Sequence, residues 1–347
     1  MLSYVDEVLG NFSKFLSQNG LLDKALVVFT SDHGESLGEH GESTHGYFIY
    51  QSTLRVPLIF RWPNGSKEFL ARVDEPASLL DVAPTLMQFA GFPKPTEFQG
   101  RSLLGSAKSN PPALAPEIYS ESLYAKNHFG CGALQSLRLG RYKYIEAPKP
   151  ELYDLAVDTG ERQNLYALKK SLALSLKERT SAIRTRFQAV RPAASPALTP
   201  EAIAALNSLG YLAGGSSIPK LADSGPDPKD RIADSESYSH ALILASSGRL
   251  TESNVKLRQL IAKYPEILDI RLSLAVNQQR QGMHQAAVQN FRQLLKRDPL
   301  NVLAHFDLAV SLFRLRQLDD AIKELQAALA LEPNYTRAEG LLGTAWL

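Results

Sequence analysis

Apolar positions along the chain fall into two regimes. Over residues 1–165 they change period every ten to twenty residues. Val5, Val8, Leu9, Phe12, Phe15 and Leu16 recur at helical spacing, and Asn19-Gly20 is a stop signal. The run Ala25-Leu26-Val27-Val28-Phe29 follows and leads into Thr30-Ser31-Asp32-His33-Gly34. An unbroken β-rich run of this length suits a strand covered on both faces in a parallel sheet. Val56-Pro57-Leu58-Ile59-Phe60 predicts a second short strand, and 82–90 a helix with Asp81 as N-cap and Gly91 as stop. Leu137 to Ile145 alternates around Gly140 as a hairpin does. Helix, strand, helix and hairpin in this order predict an α/β region with an appended antiparallel piece.

The second regime is periodic. Pro265, Pro299 and Pro333 are 34 residues apart, each closing a helical pattern. Ala241, Ala275, Ala309 and Gly343 keep the same interval, as do Ala287 with Ala321 and Leu257 with Phe291 and Leu325. Small residues at fixed positions let paired helices approach, and the proline ends the second helix of each pair. The pattern is similar to the tetratricopeptide repeat, which implies an all-α solenoid with a peptide- or protein-binding concave face. Three units are complete, at 234–267, 268–301 and 302–335. A fourth starts at Thr336 and stops at Leu347, so a C-terminal truncation is expected. Asn277, Arg280 and Arg314 fall at groove-side positions, where they are either ligands or solvated helix residues.

The expected organisation is therefore an α/β domain over 1–165, a helical extension over 166–212, a linker over 213–232 and repeats over 233–347. Thr199-Pro200-Glu201 starts a helix within the extension. Gly214-Gly215-Ser216-Ser217 and Gly225-Pro226-Asp227-Pro228 mark the linker.

Composition narrows the function classes only a little. Of 347 residues, 44% are hydrophobic and 21% charged, which is ordinary globular usage. No apolar run approaches the roughly 20 residues of a membrane helix. The first residues lack the basic and apolar regions of a signal peptide. Net charge is +2, with 15 basic and 19 acidic residues in 1–165 against 23 and 17 in the remainder. No dense basic block points to nucleic acid. A single cysteine, Cys131, excludes an intrachain disulfide framework and a cysteine-based zinc cluster. Compartment is not fixed by any of this.

Three of the seven histidines, His33, His40 and His45, lie within 13 residues, together with Asp32, Glu35, Glu39 and Glu42. Ligands bind outside the carboxyl ends of strands in open α/β sheets. Asp32 and His33 stand at such an end and could ligate a divalent cation. On spacing alone a polar loop with solvated histidines is equally open.

The run Thr30-Ser31-Asp32-His33-Gly34-Glu35-Ser36-Leu37-Gly38-Glu39-His40-Gly41, then Thr44-His45-Gly46 and Leu54-Arg55-Val56-Pro57-Leu58-Ile59, resembles the sulfatase family of the alkaline phosphatase-like superfamily. Residues 77–91, Gly100-Arg101-Ser102, Arg141-Tyr142-Lys143-Tyr144 and Glu151-Leu152-Tyr153-Asp154-Leu155 with Asp158, Glu161 and Asn164 extend it to about 165. The resemblance implies part of an alkaline phosphatase-like sheet. It makes Asp32 and His33 metal ligands, with His33 where other members carry Asn, and it implies Ca2+. It places His45 at the catalytic position where many members use Lys on the sulfate. Glu39 and His40 are expected to hold the loop, Arg55 to be structural, and His128 to line the substrate pocket.

The family's nucleophile is a formylglycine made from a Cys/Ser-x-Pro-x-Arg motif. Cys131 is followed by Gly132-Ala133-Leu134 and does not belong to one. No Asp-Asp strand end precedes the matching region, so an N-terminal truncation is expected as well. The resulting expectation is a sulfatase-like, metal-dependent sulfuric ester hydrolase fragment joined to interaction repeats, acting on a sulfate ester in the complete protein and inactive alone. The parent could be periplasmic or exported. A phosphodiesterase or phosphonate-hydrolase relative, or a non-catalytic repeat scaffold, stays open beside it.

Overall fold

The structure is a computed structural model that describes residues 2–63, 72–105, 115–188 and 225–346. Two compact units emerge: Met1–Ser122 with Leu134–Phe187, and Leu123–Ala133 with Gln188–Leu347. The expected helix start at Thr199 and the linker up to residue 224 lie outside the described residues.

In the first unit, α1 spans Leu2–Gln18 and ends as expected, with Asn19 Nδ2 donating to Phe15 O at 2.8 Å and Gly20 at φ +63°. Only Gly takes that conformation without strain. β1 (Val27–Thr30) pairs with β2 (Leu58–Arg61), register Val27 to Arg61. The pairing is antiparallel and β1 is only half-buried, which corrects the expected parallel strand covered on both faces. The physical reason is that the loop and short helix α2 (Gln51–Leu54) between the two strands turn the chain back alongside itself. α3 (Val82–Phe89) follows a capping box in which the Ser78 side chain accepts from Leu80 N and Asp81 Oδ2 from Ser78 N. Asp81 therefore acts one turn earlier than expected, and its other oxygen takes the Arg101 N–H at 2.8 Å.

A four-stranded antiparallel sheet forms the unit's other half: β3 (Glu117–Ser122), β4 (Leu134–Leu139), β5 (Tyr142–Glu146) and β6 (Glu151–Asp154), neighbours in that order. The predicted β4–β5 hairpin turns at Gly140-Arg141, with Gly140 at φ +57°. Between β3 and β4 the short helix α4 (Tyr124–Phe129) leaves the sheet and belongs to the second unit. Leu137, Tyr144 and Leu152 are fully buried against Ala173 and Leu176 of α5 (Lys170–Gln188). The helical extension is thus, where described, the cover of the sheet.

The second unit contains α6 (Ile232–Ser246), α7 (Leu250–Lys263), α8 (Leu268–Arg280), α9 (His284–Leu295), α10 (Val302–Arg314), α11 (Leu318–Leu331) and α12 (Thr336–Trp346). Paired antiparallel helices stack in register. Ala241, Ala275 and Ala309 have no exposed surface, nor do Ala287 and Ala321, nor Leu257, Phe291 and Leu325. Ser253 occupies the first unit's equivalent of Ala287 and spends its hydroxyl on Ala241 O at 2.7 Å. The last residues of the expected linker are packed: Gly132 N donates to Pro226 O at 3.0 Å and Pro228 is buried. No helix among the described residues is long and apolar enough to cross a membrane.

Candidate active site

The chemistry-bearing loop begins where β1 ends. Gly34 N donates to Thr53 O at 2.7 Å, and a Cβ at Gly34 would run into the Ser52 carbonyl, so only glycine lets the loop lie against α2. Ser36 N to Thr44 O (2.8 Å) and Gly38 N to Glu42 O (2.9 Å) then close residues 36–44 into a backbone-bonded loop. This closure carries Glu35 and His45, ten residues apart, to the same spot. Ser36 is buried and its hydroxyl reaches Glu39 O.

Glu39 and His40 hold the loop. Leu37 N donates to Glu39 Oε2 at 2.6 Å, which keeps that carboxyl below its ordinary pKa. The His40 ring stacks on Tyr50 at 3.6 Å, and its Nε2 lies 3.1 Å from Gly160 O. Glu42 is buried and accepts the Tyr47 N–H at 2.8 Å and the Phe48 N–H at 3.2 Å.

Asp32, His33 and His45 come together on this loop. The Asp32 carboxylate accepts the His33 N–H at 2.9 Å and the Ser31 hydroxyl at 3.2 Å. The backbone N–H and the adjacent imidazole hold it below the usual carboxylate range. His33 Nδ1 is 2.9 Å from Gly34 O; a carbonyl only accepts, so Nδ1 donates there, while Nε2 lies 3.6 Å from Asp32 Oδ2. His45 Nδ1 is 3.0 Å from Glu35 Oε2, and the two imidazole rings stack at 3.9 Å. Asp32 and His33 edge a cavity of about 670 Å³ whose wall includes Trp62, Arg55, Arg138 and Lys143.

Arg55, expected to be structural, is exposed and lines this cavity; its charge and burial together lower the Arg138 pKa. Its backbone, not its guanidinium, does the structural work, closing α2 through Gln51 O. His128 lies in the second unit, where its Nδ1 is 2.5 Å from Asp269 Oδ2, while Phe129 is fully buried and meets Tyr238 edge-on at 6.1 Å. Asn277 does not face a groove: it is buried and donates to Ser253 Oγ at 2.9 Å. Arg280 donates to Ala245 O at 3.1 Å.

The ion pair buried behind the loop has no local signature among the residues around Lys143. Lys143 Nζ reaches Glu161 Oε1 at 2.7 Å and Ile49 O at 2.5 Å, and the other Glu161 oxygen takes the Gln51 N–H. Burial pulls the Lys143 pKa down and Glu161 opposes it. Nearby, Tyr50 donates to Glu151 at 2.8 Å, and Tyr153 shares that carboxylate. A lysine inside an alternating strand reads as a solvent-facing position, so only its distant partner reveals its role.

Residues 1–92 match the sulfatase family, and residues 272–336 match the tetratricopeptide repeat. Among relatives, mouse arylsulfatase K is 33% identical over 198 residues, which cover 53% of this chain and 34% of that protein. The N-acetylglucosamine-6-O-sulfatase of Bacteroides thetaiotaomicron is 31% identical over 193 residues, covering 51% and 33%. A solved structure of a complex with its substrate D-glucosamine-2-N,6-O-disulfate aligns at 28% identity and a TM-score of 0.46, over 55% of this chain and 40% of that one. The chain spans about a third of the length of the curated relatives it matches.

Calcium, the ion implied by the family, takes about six to eight oxygen ligands. The sulfatase loop offers the Asp32 and Glu35 carboxylates and two imidazoles within reach of one another. These donors do not fit calcium: half of them are nitrogen, which suits a softer ion.

Proposed function

We propose that this chain contributes to a sulfuric ester hydrolase and carries a protein-interaction module in its repeats. The observation that supports this most directly is the meeting of Asp32, His33 and His45 on one loop, with Asp32 and His33 at the rim of a cavity, within the residues that match sulfatases. In this reading the ester lies in the cavity. Its wall carries Arg55 and Arg138, whose charge suits a sulfate or a neighbouring acidic group. Glu35 orients the His45 ring, so that its outer nitrogen can donate to the ester oxygens where charge develops. Asp32 and His33 present a carboxylate and a lone pair at the same rim. The relatives' names, an arylsulfatase and a sugar 6-O-sulfatase, support a sulfate ester as the class of substrate.

The chain has no Cys/Ser-x-Pro-x-Arg motif. We therefore assign it binding without turnover. The test is titration of the whole chain with an aryl sulfate, read by calorimetry, beside a phosphate diester of the same aryl group. Sulfate-ester binding that falls at least about tenfold in His45→Ala, with no aryl alcohol released, is the expected result. Preference for the diester would favour phosphoryl transfer, release of aryl alcohol would overturn the absence of turnover, and absence of both ligands would remove the hydrolase reading.

A further inference from the structure

The mismatch with calcium has a positive counterpart. His33, Glu35 and His45 each offer one ligand atom, and the three atoms lie within 4.8 Å of one another. We infer that these three side chains form a chelating site for a zinc-class divalent ion.

Geometry carries the inference. Zinc with bonds of about 2.0–2.2 Å holds its ligand atoms roughly 3.3–3.5 Å apart in a tetrahedron. Side-chain rotations of order 1 Å therefore complete the set. The scaffold is already closed by the Ser36–Thr44 and Gly38–Glu42 backbone hydrogen bonds, so little ordering is left for the ion to impose. His33 spends Nδ1–H on Gly34 O, which leaves Nε2, 3.6 Å from Asp32 Oδ2, as the nitrogen to bind an ion. The rings of His33 and His45 stack within 29° of parallel, so one ring swings out of the stack for both in-plane lone pairs to meet one ion. The three side chains keep 31–49% of their surface, so the ion can enter and a water can occupy the fourth position. Two imidazoles and one carboxylate are the donor set for zinc, not for calcium or magnesium.

The site has a consequence for the proposed hydrolase chemistry, on whose reading this part rests. Zinc on His45 Nδ1 replaces the contact with Glu35 and leaves the outer nitrogen to donate to an ester oxygen, so zinc and sulfate ester are expected to bind together at this loop.

The test uses the whole chain and zinc itself, read by competition with a chromophoric chelator, so that it does not depend on any turnover. One zinc is expected to bind, with no displacement by millimolar calcium. Glu35→Gln and His45→Gln are each expected to weaken it at least about tenfold. His240→Gln, which removes an exposed histidine of α6 outside the cluster, is expected to leave it unchanged. Far-ultraviolet circular dichroism identifies any variant that fails to fold, and for such a variant Glu35→Asp replaces it, expected to retain partial affinity. Failure of the chain to bind zinc, or equal affinity in folded Glu35→Gln and His45→Gln, overturns the site. If zinc binds while the aryl sulfate does not, the site stands and the hydrolase reading alone is lost.

Discussion

The repeats and the first unit solve the same burial problem with different sequence distances. In the repeats, polar and apolar partners are close along the chain: Ser253 to Ala241 is 12 residues, Asn277 to Ser253 is 24, and Gln279 to Ser311 is 32. Each helical pair covers its neighbour, and the 34-residue alanines vanish from the surface. In the first unit, the loop that carries Asp32, His33 and His45 is held by partners about a hundred residues away. His40 meets Gly160 across 120 residues, Gln51 meets Glu161 across 110, and Tyr50 meets Glu151 across 101. The same unit leaves Tyr4, Phe12 and Phe15 of α1 more than half exposed. A stack built from local repeats closes its own core. A loop built for chemistry depends on distant buried charges.

That difference can be broken most severely at Lys143. Removing one partner of a buried ion pair leaves the other charge uncompensated and costs about 3–5 kcal/mol. Lys143→Met should therefore destabilise the first unit by that amount and leave the repeats untouched. The two tryptophans allow the test, since Trp62 stands in the first unit and Trp346 in the second. Denaturation of a Trp346→Phe background is read through Trp62, and the converse through Trp346. Adding Glu161→Gln should recover part of the loss, because a neutral amide no longer needs the ammonium. Equal shifts in both signals would break the comparison.

A smaller effect is expected in the other unit. Ala275 and Ala309 have no exposed surface where paired helices approach. Ala309→Leu forces added volume into a closed contact, at about 1–3 kcal/mol. The loss should appear at Trp346 and not at Trp62.

What could be read from sequence follows the same division. The repeat boundaries, the buried alanines and the Gly140 hairpin were legible, because each depends on residues within about one period or one turn. The loop residues Asp32, His33 and His45 were legible as a cluster, and Glu39 as its support, since their bonds span ten positions or fewer; the partner that ties His40 down, Gly160, is 120 residues away and was not. The antiparallel direction of β1 was not, because an apolar run fixes burial tendency and not the partner's direction. The pairing of Lys143 with Glu161 was hidden by strand alternation. The partner of His128, Asp269, lies 141 residues away and inside the repeat pattern. Asn277 looked like a groove residue because its position within the repeat is groove-side, while its actual partner, Ser253, is the one departure from the small apolar residue at that place.

The smallest effect expected is a pH dependence inside the repeats. Burial pushes the Asp307 carboxyl up to about 6 from an ordinary 3.8, with Arg337 opposing it. Between those values the folded chain holds a proton that the unfolded chain has lost. Stability therefore falls as pH rises from about 4 to 6, and the cost is complete above that. A displacement of this size corresponds to roughly 3 kcal/mol for a fully enclosed group. Asp307 keeps some exposure, so about 1–2 kcal/mol is expected. His305 acts in the same direction in a higher window: its bond to Glu324 raises its pKa, giving stability that is full below its ordinary 6.5 and lost as pH climbs through the raised value. Asp307→Asn should flatten the first window alone and stabilise the repeats at pH 7, with Trp62 unmoved. His305→Gln should flatten the second alone. Because each window belongs to one side chain, a single variant that erased both would mean that the repeats respond to net charge and not to these two sites, and the local character claimed for this unit would not hold.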